Sequence, residues 1–304
     1  VAELYADFAS TGIVLQKFRP GSHKTLCPRC SASRKNPHDH CLSVTVHTPH
    51  DVVWNCHNCA WTGGTMKKRN APMEKASVTV RPDIVPTEPT PELLAWFQNR
   101  GIGEEIVRTM KIFQTTRLFN GREQKAIAFP YYRNGTLISV KYRSMETKAF
   151  ATEANCEQAF YNVDAIVAYE EIIIVEGEMD ALAMMQANFP NVISVPRGAP
   201  QRVGPGVPPP EEDTNFRYLW PAYEALRHRK RIIIATDSDD PGHALAEELA
   251  RRIGKDKCWR VSWPDGMDGQ CKDANEVLLL QGSGNIAASV LQAAPWPIDG
   301  VFEA

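Results

Sequence analysis

Six carboxylates fall in two short clusters, each directly behind an apolar run. Ile172-Ile173-Ile174-Val175 leads into Glu176, Glu178 and Asp180, and Ile232-Ile233-Ile234-Ala235-Thr236 leads into Asp237, Asp239 and Asp240. Acids this crowded repel one another unless a cation neutralises them. A hard divalent ion suits an all-oxygen donor set, most simply Mg2+, with Mn2+ as a substitute. An acid behind a strand is also a common helix N-cap, and Asp240 before Pro241 has that form. Two clusters of three, each behind an apolar strand, are what point beyond capping to a cation.

The elements that must position these acids are legible around them. Consecutive β-branched residues read as strands buried on both faces, as in a parallel sheet, and ligands bind beyond the carboxyl ends of such strands. Leu182, Met185 and Phe189 mark a helix after the first cluster. Val192–Val195 and Trp259–Trp263 read as further strands, and Tyr218–Arg229 as a helix. Pro241 opens a helix with Leu245, Leu249 and Ile253 on one side, closed by Gly254. Lys272-Asp273-Ala274-Asn275-Glu276 leads into Val277–Leu280. Alternation of this kind predicts an α/β fold, a mostly parallel sheet with helices on both faces. Pro200–Asp213, rich in proline and glycine, is expected to be a flexible insertion.

A second chemistry lies near the N-terminus. Cys27-Pro28-Arg29-Cys30 and Cys56-His57-Asn58-Cys59 are two C-x2-C pairs separated by 25 residues. Two such knuckles hold four thiolates tetrahedrally about zinc in a ribbon. The spacer contains Leu42–Val46 and Val52–Asn55, which alternate like a hairpin. A disulfide framework would go with an export signal, and a redox C-x-x-C normally comes singly beside a βαβ unit. Cys41 and His40 have no close-spaced partner and read as structural, and Cys156, Cys258 and Cys271 as ordinary buried thiols. Trp54 reads as filler beneath the metal. His57 and Trp61 could stack on or bond to unpaired bases, and Arg29, Arg34 and Lys35 could meet phosphates, although a solvated loop accounts for the cations nearly as well. Ahead of the ribbon, Glu3–Phe18 has a weak amphipathic helix pattern, with Leu4, Phe8, Ile13 and Leu15 as packing positions.

Between the two chemistries the composition shifts. Lys67-Lys68-Arg69 leads into Pro72, Pro82, Pro86, Pro89 and Pro91, a pattern that favours an extended tether. Glu92–Arg100 reads as a helix (Leu93, Leu94, Phe97) stopped by Gly101, with a second short helix through Ile106, Val107 and Met110. Ala126–Tyr132 and Leu137–Arg143 read as a hairpin turned at Asn134-Gly135. On its second strand, continuing toward Lys148, Lys141 and Arg143 share a face. That face suits phosphate, and equally a solvated strand.

The 304 residues carry 34 Lys+Arg against 36 Asp+Glu, a net charge of −2, which argues against a generally basic nucleic-acid binder. The N-terminal part differs: residues 1–70 hold nine Lys/Arg against four acids, and six of the eight histidines. A polyanion would be met there first. No apolar run approaches the ~20 residues of a membrane span. Neither a secretory signal nor an organelle-type leader is evident, and a first residue of Val1 reads as a trimmed or processed piece of something longer.

Glu176-Gly177-Glu178-Met179-Asp180 with Asp237-Ser238-Asp239 resembles the Toprim signature, shared by primases, topoisomerases, some nucleases and recombination proteins. The whole order of motifs is narrower. The four-cysteine ribbon, the proline-rich tether, Lys141-x-Arg143…Lys148, both acidic motifs and Lys272-Asp273-Ala274-Asn275-Glu276 together resemble the primase half of a T7-type phage primase–helicase. The chain is more similar still to Twinkle-like primase–helicases of plant and protist organelles, through Val175–Asp180, Ser194-Val195-Pro196 and Ala235-Thr236-Asp237.

The resemblance implies a DNA primase, a nucleotidyltransferase that makes short RNA primers on single-stranded DNA for replication. It implies a zinc-ribbon template-binding domain over 1–66, a linker over 67–91, an N-terminal subdomain of the polymerase core over 92–165 and a Toprim catalytic subdomain over 166–304. Glu176, Asp237 and Asp239 would be catalytic. Glu176, Asp237, Asp239 and Asp273 would hold magnesium, with Glu178 and Asp180 in support, and Cys27, Cys30, Cys56 and Cys59 would hold zinc. Lys141, Arg143 and Lys148 would bind nucleotide or template, with Arg29, His57 and Trp61 on the template side. The Lys141–Lys148 spacing is one residue longer than the phage pattern. No G-x-x-x-x-G-K-[ST] phosphate loop occurs in these 304 residues, so the implied helicase is fused elsewhere or acts in trans. The implied partners are single-stranded DNA, NTPs, that helicase and a DNA polymerase, with no membrane. The setting would be a mitochondrial or plastid matrix, or a host cytoplasm for a phage protein, not secretion. A non-polymerising DNA-binding protein and a Toprim nuclease are the alternatives.

Overall fold

The computed structural model describes residues 8, 10–34, 36–48, 51–59, 61–65, 80–267 and 269–297. The chain divides into two units, residues 1–77 and 78–304.

In the first unit, β1 (Gly21–Thr25), β2 (Leu42–Thr48), β3 (Asp51–Cys56) and β4 (Thr62–Gly64) form one antiparallel sheet in sequential order. Alternation puts Leu42, Val44 and Val46 of β2 and Val52, Trp54 and Cys56 of β3 into one small core. The expected hairpin is β2–β3, and β1 and β4 extend it on either side. Gly63 sits opposite Trp54, where a Cβ would come within 2.3 Å of the indole, so only glycine lets β4 pass over that ring. The N-terminal helix expected to reach Phe18 does not: Ser10–Pro20 is turn and irregular chain. Gly12, at φ +73°, takes a left-handed turn there. Phe8, Ile13, Leu15 and Phe18 still pack on the ribbon core, and Leu4 lies outside the described residues.

The second unit begins along its own surface. Of the expected tether, residues 67–79 lie outside the described residues, while residues 80–90 are laid on the core rather than free. Val80 N–H donates to Asn155 O at 3.0 Å, and Ile84 packs on a buried cluster. Thr90 then caps α1 (Pro91–Gln98), and α2 (Glu104–Thr109) follows. Leu93 and Phe97 of α1 and Val107 of α2 are fully buried.

An antiparallel sheet comes next, in the order β5 (Phe113–Phe119), β6 (Arg122–Arg133), β7 (Thr136–Ser144), β8 (Phe150–Thr152). The β6–β7 turn places Asn134 and Gly135 at φ 49° and 70°, as a two-residue type I′ turn requires. The short α3 (Ala165–Ala168) leads to the second sheet.

The remaining elements are β9 (Glu171–Val175), α4 (Glu178–Gln186), β10 (Val192–Ser194), α5 (Trp220–Arg227), β11 (Arg231–Ile234), α6 (Asp240–Ile253), β12 (Cys258–Arg260), the small hairpin β13 (Asp265–Gly266) and β14 (Gly269–Gln270), α7 (Ala274–Gln281), α8 (Ser283–Leu291) and β15 (Ala294–Pro295). The sheet order is β10-β9-β11-β12-β15, parallel except for β15. Side-chain alternation divides its isoleucines between two cores. Ile173, Val175 and Ile233 face one containing Leu182, Val277 and Ile286, and Ile172, Ile174, Ile232 and Ile234 face one containing Leu226, Leu245 and Leu249. The first of these cores also takes Leu93, Phe97, Ile127, Phe129 and Ile138. One continuous apolar body therefore fixes the antiparallel sheet against the parallel one. The fold is the expected mixed α/β architecture with helices on both faces.

The segment expected to be a flexible insertion is pinned instead. Arg252 Nε donates to Asp213 Oδ2 at 2.7 Å with both side chains buried, and Gly204 N–H donates to Glu248 Oε1 at 2.5 Å. Proline and glycine content reveals irregular backbone but not what holds it. Among the described residues, no helix is long and apolar enough to cross a membrane.

Candidate active site and thiolate cluster

Strands β9 and β11 are direct parallel neighbours, with Ile172, Ile173 and Ile174 opposite Ile232, Ile233 and Ile234. Their carboxyl ends therefore bring Glu176 and Asp237 to one edge of the sheet. Both line a cleft of about 660 Å³ whose walls also carry Lys141, Arg143, Arg197 and Lys272. Burial raises the Glu176 carboxyl to about 7, with repulsion from Asp237 and Asp239 adding to it. Its Oε2 is buried without a hydrogen-bond partner. Burial likewise raises Asp237 to about 6, against the pull of Lys272. Asp180 is pushed well above the usual range by burial and then by Asp273 and Asp237.

The other expected acids are more fully engaged. Glu178 is 3% exposed and accepts from Lys141 Nζ at 2.8 and 3.0 Å and from the Tyr131 hydroxyl. Asp239 Oδ1 caps α6 by accepting from Gly242 N–H at 2.9 Å, so the cap is Asp239 and not Asp240, which is the first helical residue. Asp273 Oδ1 caps α7, accepting from Glu276 N–H at 2.8 Å. Lys272 Nζ lies 3.1 Å from Asp237 Oδ2 and 3.2 Å from Asp239 Oδ2. The carboxylates thus do not close into a tight cage: among the described residues, the four ribbon cysteines are the group of three or more potential ligands whose donor atoms all lie within 4.8 Å of one another.

Of the expected phosphate-binding cations, Lys141 and Arg143 reach the cleft from β7. Lys148 does not. The strand ends at Ser144, and Lys148 is exposed in the bend before β8.

Several residues of the site were not anticipated. Lys272 was visible only as part of a motif, with no role attached. Asn275 N–H reaches Asp180 Oδ1 at 3.3 Å while its Nδ2 donates to Arg100 O at 2.9 Å, tying the acidic edge to the end of α1. Gly242 lets α6 start against the Asp237 backbone, where a Cβ would come within 2.2 Å of its carbonyl oxygen. The sequence signal for Gly242 was its place after Asp-Asp-Pro. For Asn275 there was none beyond its motif.

In the first unit, Cys27, Cys30, Cys56 and Cys59 converge, with Cys27–Cys59 and Cys30–Cys56 sulfur separations of 3.8 and 3.7 Å. Tetrahedral zinc with ~2.3 Å bonds spaces its sulfurs by about 3.8 Å, so this donor set fits that ion. Cys41, read as merely structural, also stands at the cluster, 3.9 Å from the Cys30 sulfur and 3.7 Å from that of Cys56. The Arg29 guanidinium covers the Trp61 ring at 4.7 Å, and Trp61 packs on Trp54 with centroids 5.5 Å apart. His57 Nε2 bonds Ser43 Oγ at 2.9 Å. Lys35 lies outside the described residues.

Residues 170–262 match the Toprim domain. The chain is 37% identical to the Arabidopsis thaliana Twinkle homolog protein, chloroplastic/mitochondrial, over 98% of its own length, and spans 43% of that relative. The primase domains in a bacteriophage T7 assembly with the lagging-strand DNA polymerase superpose with a TM-score of 0.50 at 25% identity, covering 66% of this chain and 91% of that one. The Arabidopsis thaliana primase homolog protein is 37% identical over 97% of this chain and 88% of its own length. Similarity of that extent, with the acidic edge in place, makes the chain a member of the primase homolog family, with a Toprim domain at its centre.

Proposed function

We infer that the chain is a DNA primase that joins NTPs into short RNA primers on single-stranded DNA. One observation carries this: Glu176 and Asp237 share the end of two adjacent parallel strands and face the same cleft as Lys141 and Arg143. A carboxylate edge beside cations is what phosphoryl transfer needs, since positioning and charge stabilisation dominate its catalysis. Glu176, Asp237, Asp239 and Asp273 are the residues that would hold Mg2+. The fit is supported by the partnerless buried Glu176 oxygen and by carboxyls raised first by burial and then by neighbouring acids. When bound, the ion supplies acidification of a 3′-hydroxyl and charge neutralisation at the α-phosphate and departing pyrophosphate.

The protein's own groups do the rest. Glu176, raised to about 7, suits a group that takes up a proton near neutrality. Lys141, fixed by Glu178, presents its charge at the cleft wall, and Arg143 adds a planar fork for phosphate. The four cysteines hold zinc, and the ribbon, through Arg29, His57 and Trp61, meets the template and raises its local concentration. The domain division at 1–66, 67–91, 92–165 and 166–304 is retained as part of this reading, with residues 80–90 laid against the core. The organellar designation of the Twinkle relative supports a mitochondrial or plastid setting with a helicase fused or in trans. The polymerase-bound phage domains support a DNA polymerase as partner. The deciding experiment supplies labelled ATP or CTP, Mg2+ and mixed-sequence single-stranded DNA. Short RNA that disappears with Glu176→Gln and Asp237→Asn supports the proposal. Shortened DNA would identify a nuclease instead, and a gel shift alone a binding protein.

A further inference from the structure

Five sulfurs, not four, meet in the ribbon. Cys41 Sγ lies 3.9 Å from Cys30 Sγ and 3.7 Å from Cys56 Sγ, and those two are 3.7 Å apart. The three sulfurs form a triangle whose sides match one face of a tetrahedral zinc–thiolate centre, about 3.8 Å on an edge. The tetrahedron of Cys27, Cys30, Cys56 and Cys59 and the Cys41 triangle therefore share the Cys30–Cys56 edge. Filled-shell zinc has no geometric preference of its own, so crossing that edge costs no ligand-field energy.

Backbone pairing sets the position of Cys41. Leu42 stands opposite Cys56 across β2 and β3, His57 N–H donates to Cys41 O at 2.9 Å, and Cys41 N–H donates to Asp39 O at 2.9 Å. Ser31 Oγ accepts from Cys27 N–H at 2.8 Å and lies 3.8 Å from Cys41 Sγ, so the first knuckle closes around the same sulfur. The Arg34 guanidinium, 2.8 Å from Asp39, also places its charge beside Cys41. Zinc with four thiolates is a net anion, and a cation at its margin offsets that charge. Exposure then separates the ligands. Cys27 and Cys56 are 1% exposed and Cys30 8%, whereas Cys59 is open to solvent. Cys41, also 8% exposed, offers a covered sulfur in place of the open one. A filler role needs no thiol, since a small apolar residue packs as well without standing at ligand spacing from two thiolates.

We propose that Cys41 is a reserve zinc ligand, forming with Cys27, Cys30 and Cys56 a second, buried ligand set that takes the ion when Cys59 is lost or blocked. Cys30 and Cys56 belong to both sets, so the ion moves by one edge and Cys27 follows it. The ribbon then keeps its metal, and with it its fold, after its accessible thiolate has been modified. The test uses the full chain and reads zinc content, zinc affinity in competition with a chelator, and the charge-transfer band of Co2+ substituted for zinc, whose intensity tracks the number of thiolates. Cys41→Ala alone keeps the parent's affinity and band. Cys59→Ala keeps its zinc and the parent's band intensity with an affinity within about tenfold, and Cys41→Ala/Cys59→Ala loses about a further hundredfold with a weakened band. In the parent, N-ethylmaleimide labels Cys59 first, with zinc retained and Cys41 protected thereafter. Loss of zinc on labelling Cys59 overturns the reserve ligand, as do equal affinities of Cys59→Ala and the double variant. A weakened band in Cys41→Ala alone overturns it too, making Cys41 a permanent ligand. Labelling of Cys41 while zinc stays bound also overturns it and leaves the thiol a packing group.

Discussion

Lys141 on the antiparallel sheet reaches Glu178 at the head of α4, its Nζ 2.8 Å from Oε1 and 3.0 Å from Oε2, with both side chains largely buried. The pair joins the two sheets directly above their shared core. Removing one partner of a buried pair strands the other charge and costs about 3–5 kcal/mol. Lys141→Met is expected to destabilise by about that amount, since Glu178 would keep only the Tyr131 hydroxyl. The double variant Lys141→Met/Glu178→Leu is expected to be more stable than Lys141→Met alone. Urea denaturation checks this, and additive losses would show that the two charges are not coupled.

The acidic edge sets a pH dependence whose sign is fixed by its direction. Glu176 at about 7 and Asp237 at about 6 bind protons more tightly folded than unfolded. Their contribution to stability is complete below the unfolded carboxylate range near ~4 and is lost as pH rises through those folded values. With divalent ions removed by EDTA, the melting temperature should fall between pH 5 and pH 8. Glu176→Gln should flatten part of that fall, and added Mg2+ should reverse it in the parent at pH 8. An identical pH profile for parent and variant would show that Glu176 carries no such strain.

What could be read from the residues, and what could not, follows from the range of the interactions. Strand, turn and cap signals are local, so the runs ending at Val175 and Ile234 and the Asn134-Gly135 turn were legible. Adjacency of β9 and β11 was an inference from matching patterns, because sequence does not state sheet order. The pairings that complete the site span long separations: Lys141 with Glu178, Arg100 with Asn275, Asp237 with Lys272. None leaves a periodic trace. Lys148 misled for the opposite reason, since motif spacing placed it on a strand that stops at Ser144. Cys41 shows the limit of spacing rules: with no C-x2-C partner of its own, it is carried to the thiolates by the pairing of β2 with β3, where Leu42 stands opposite Cys56 and His57 N–H donates to Cys41 O.

The ribbon core is small, and its cysteines are part of it. Cys27, Cys30, Cys41 and Cys56 are buried beside Leu42, Val44, Val52 and Trp54. Metal binding to such a set is folding free energy for the unit around it. Chelation, or Cys56→Ser, should remove close to one equivalent of zinc per chain and expose the amides of β2 and β3 to hydrogen exchange. Protection in β9 and β11 should persist, because their cores contain no ribbon residue. Equal loss of protection throughout would mean that the ribbon and the second unit unfold together.

Lys272 makes the last prediction, because its ammonium sits on Asp237 and Asp239 where a divalent cation would also be drawn. The hydrogen bond to Asp237 raises its own pKa, so it stays charged at any working pH. An internal cation and an external one compete for the same oxygens. Lys272→Met should therefore lower the melting temperature of the metal-free protein at pH 8, where Asp237 is ionised, and yet tighten Mg2+ binding several-fold in titration calorimetry. The stabilisation gained on adding Mg2+ should be larger in the variant than in the parent. Weaker Mg2+ binding in Lys272→Met would reverse the assignment, making the lysine a support for the ion rather than its rival.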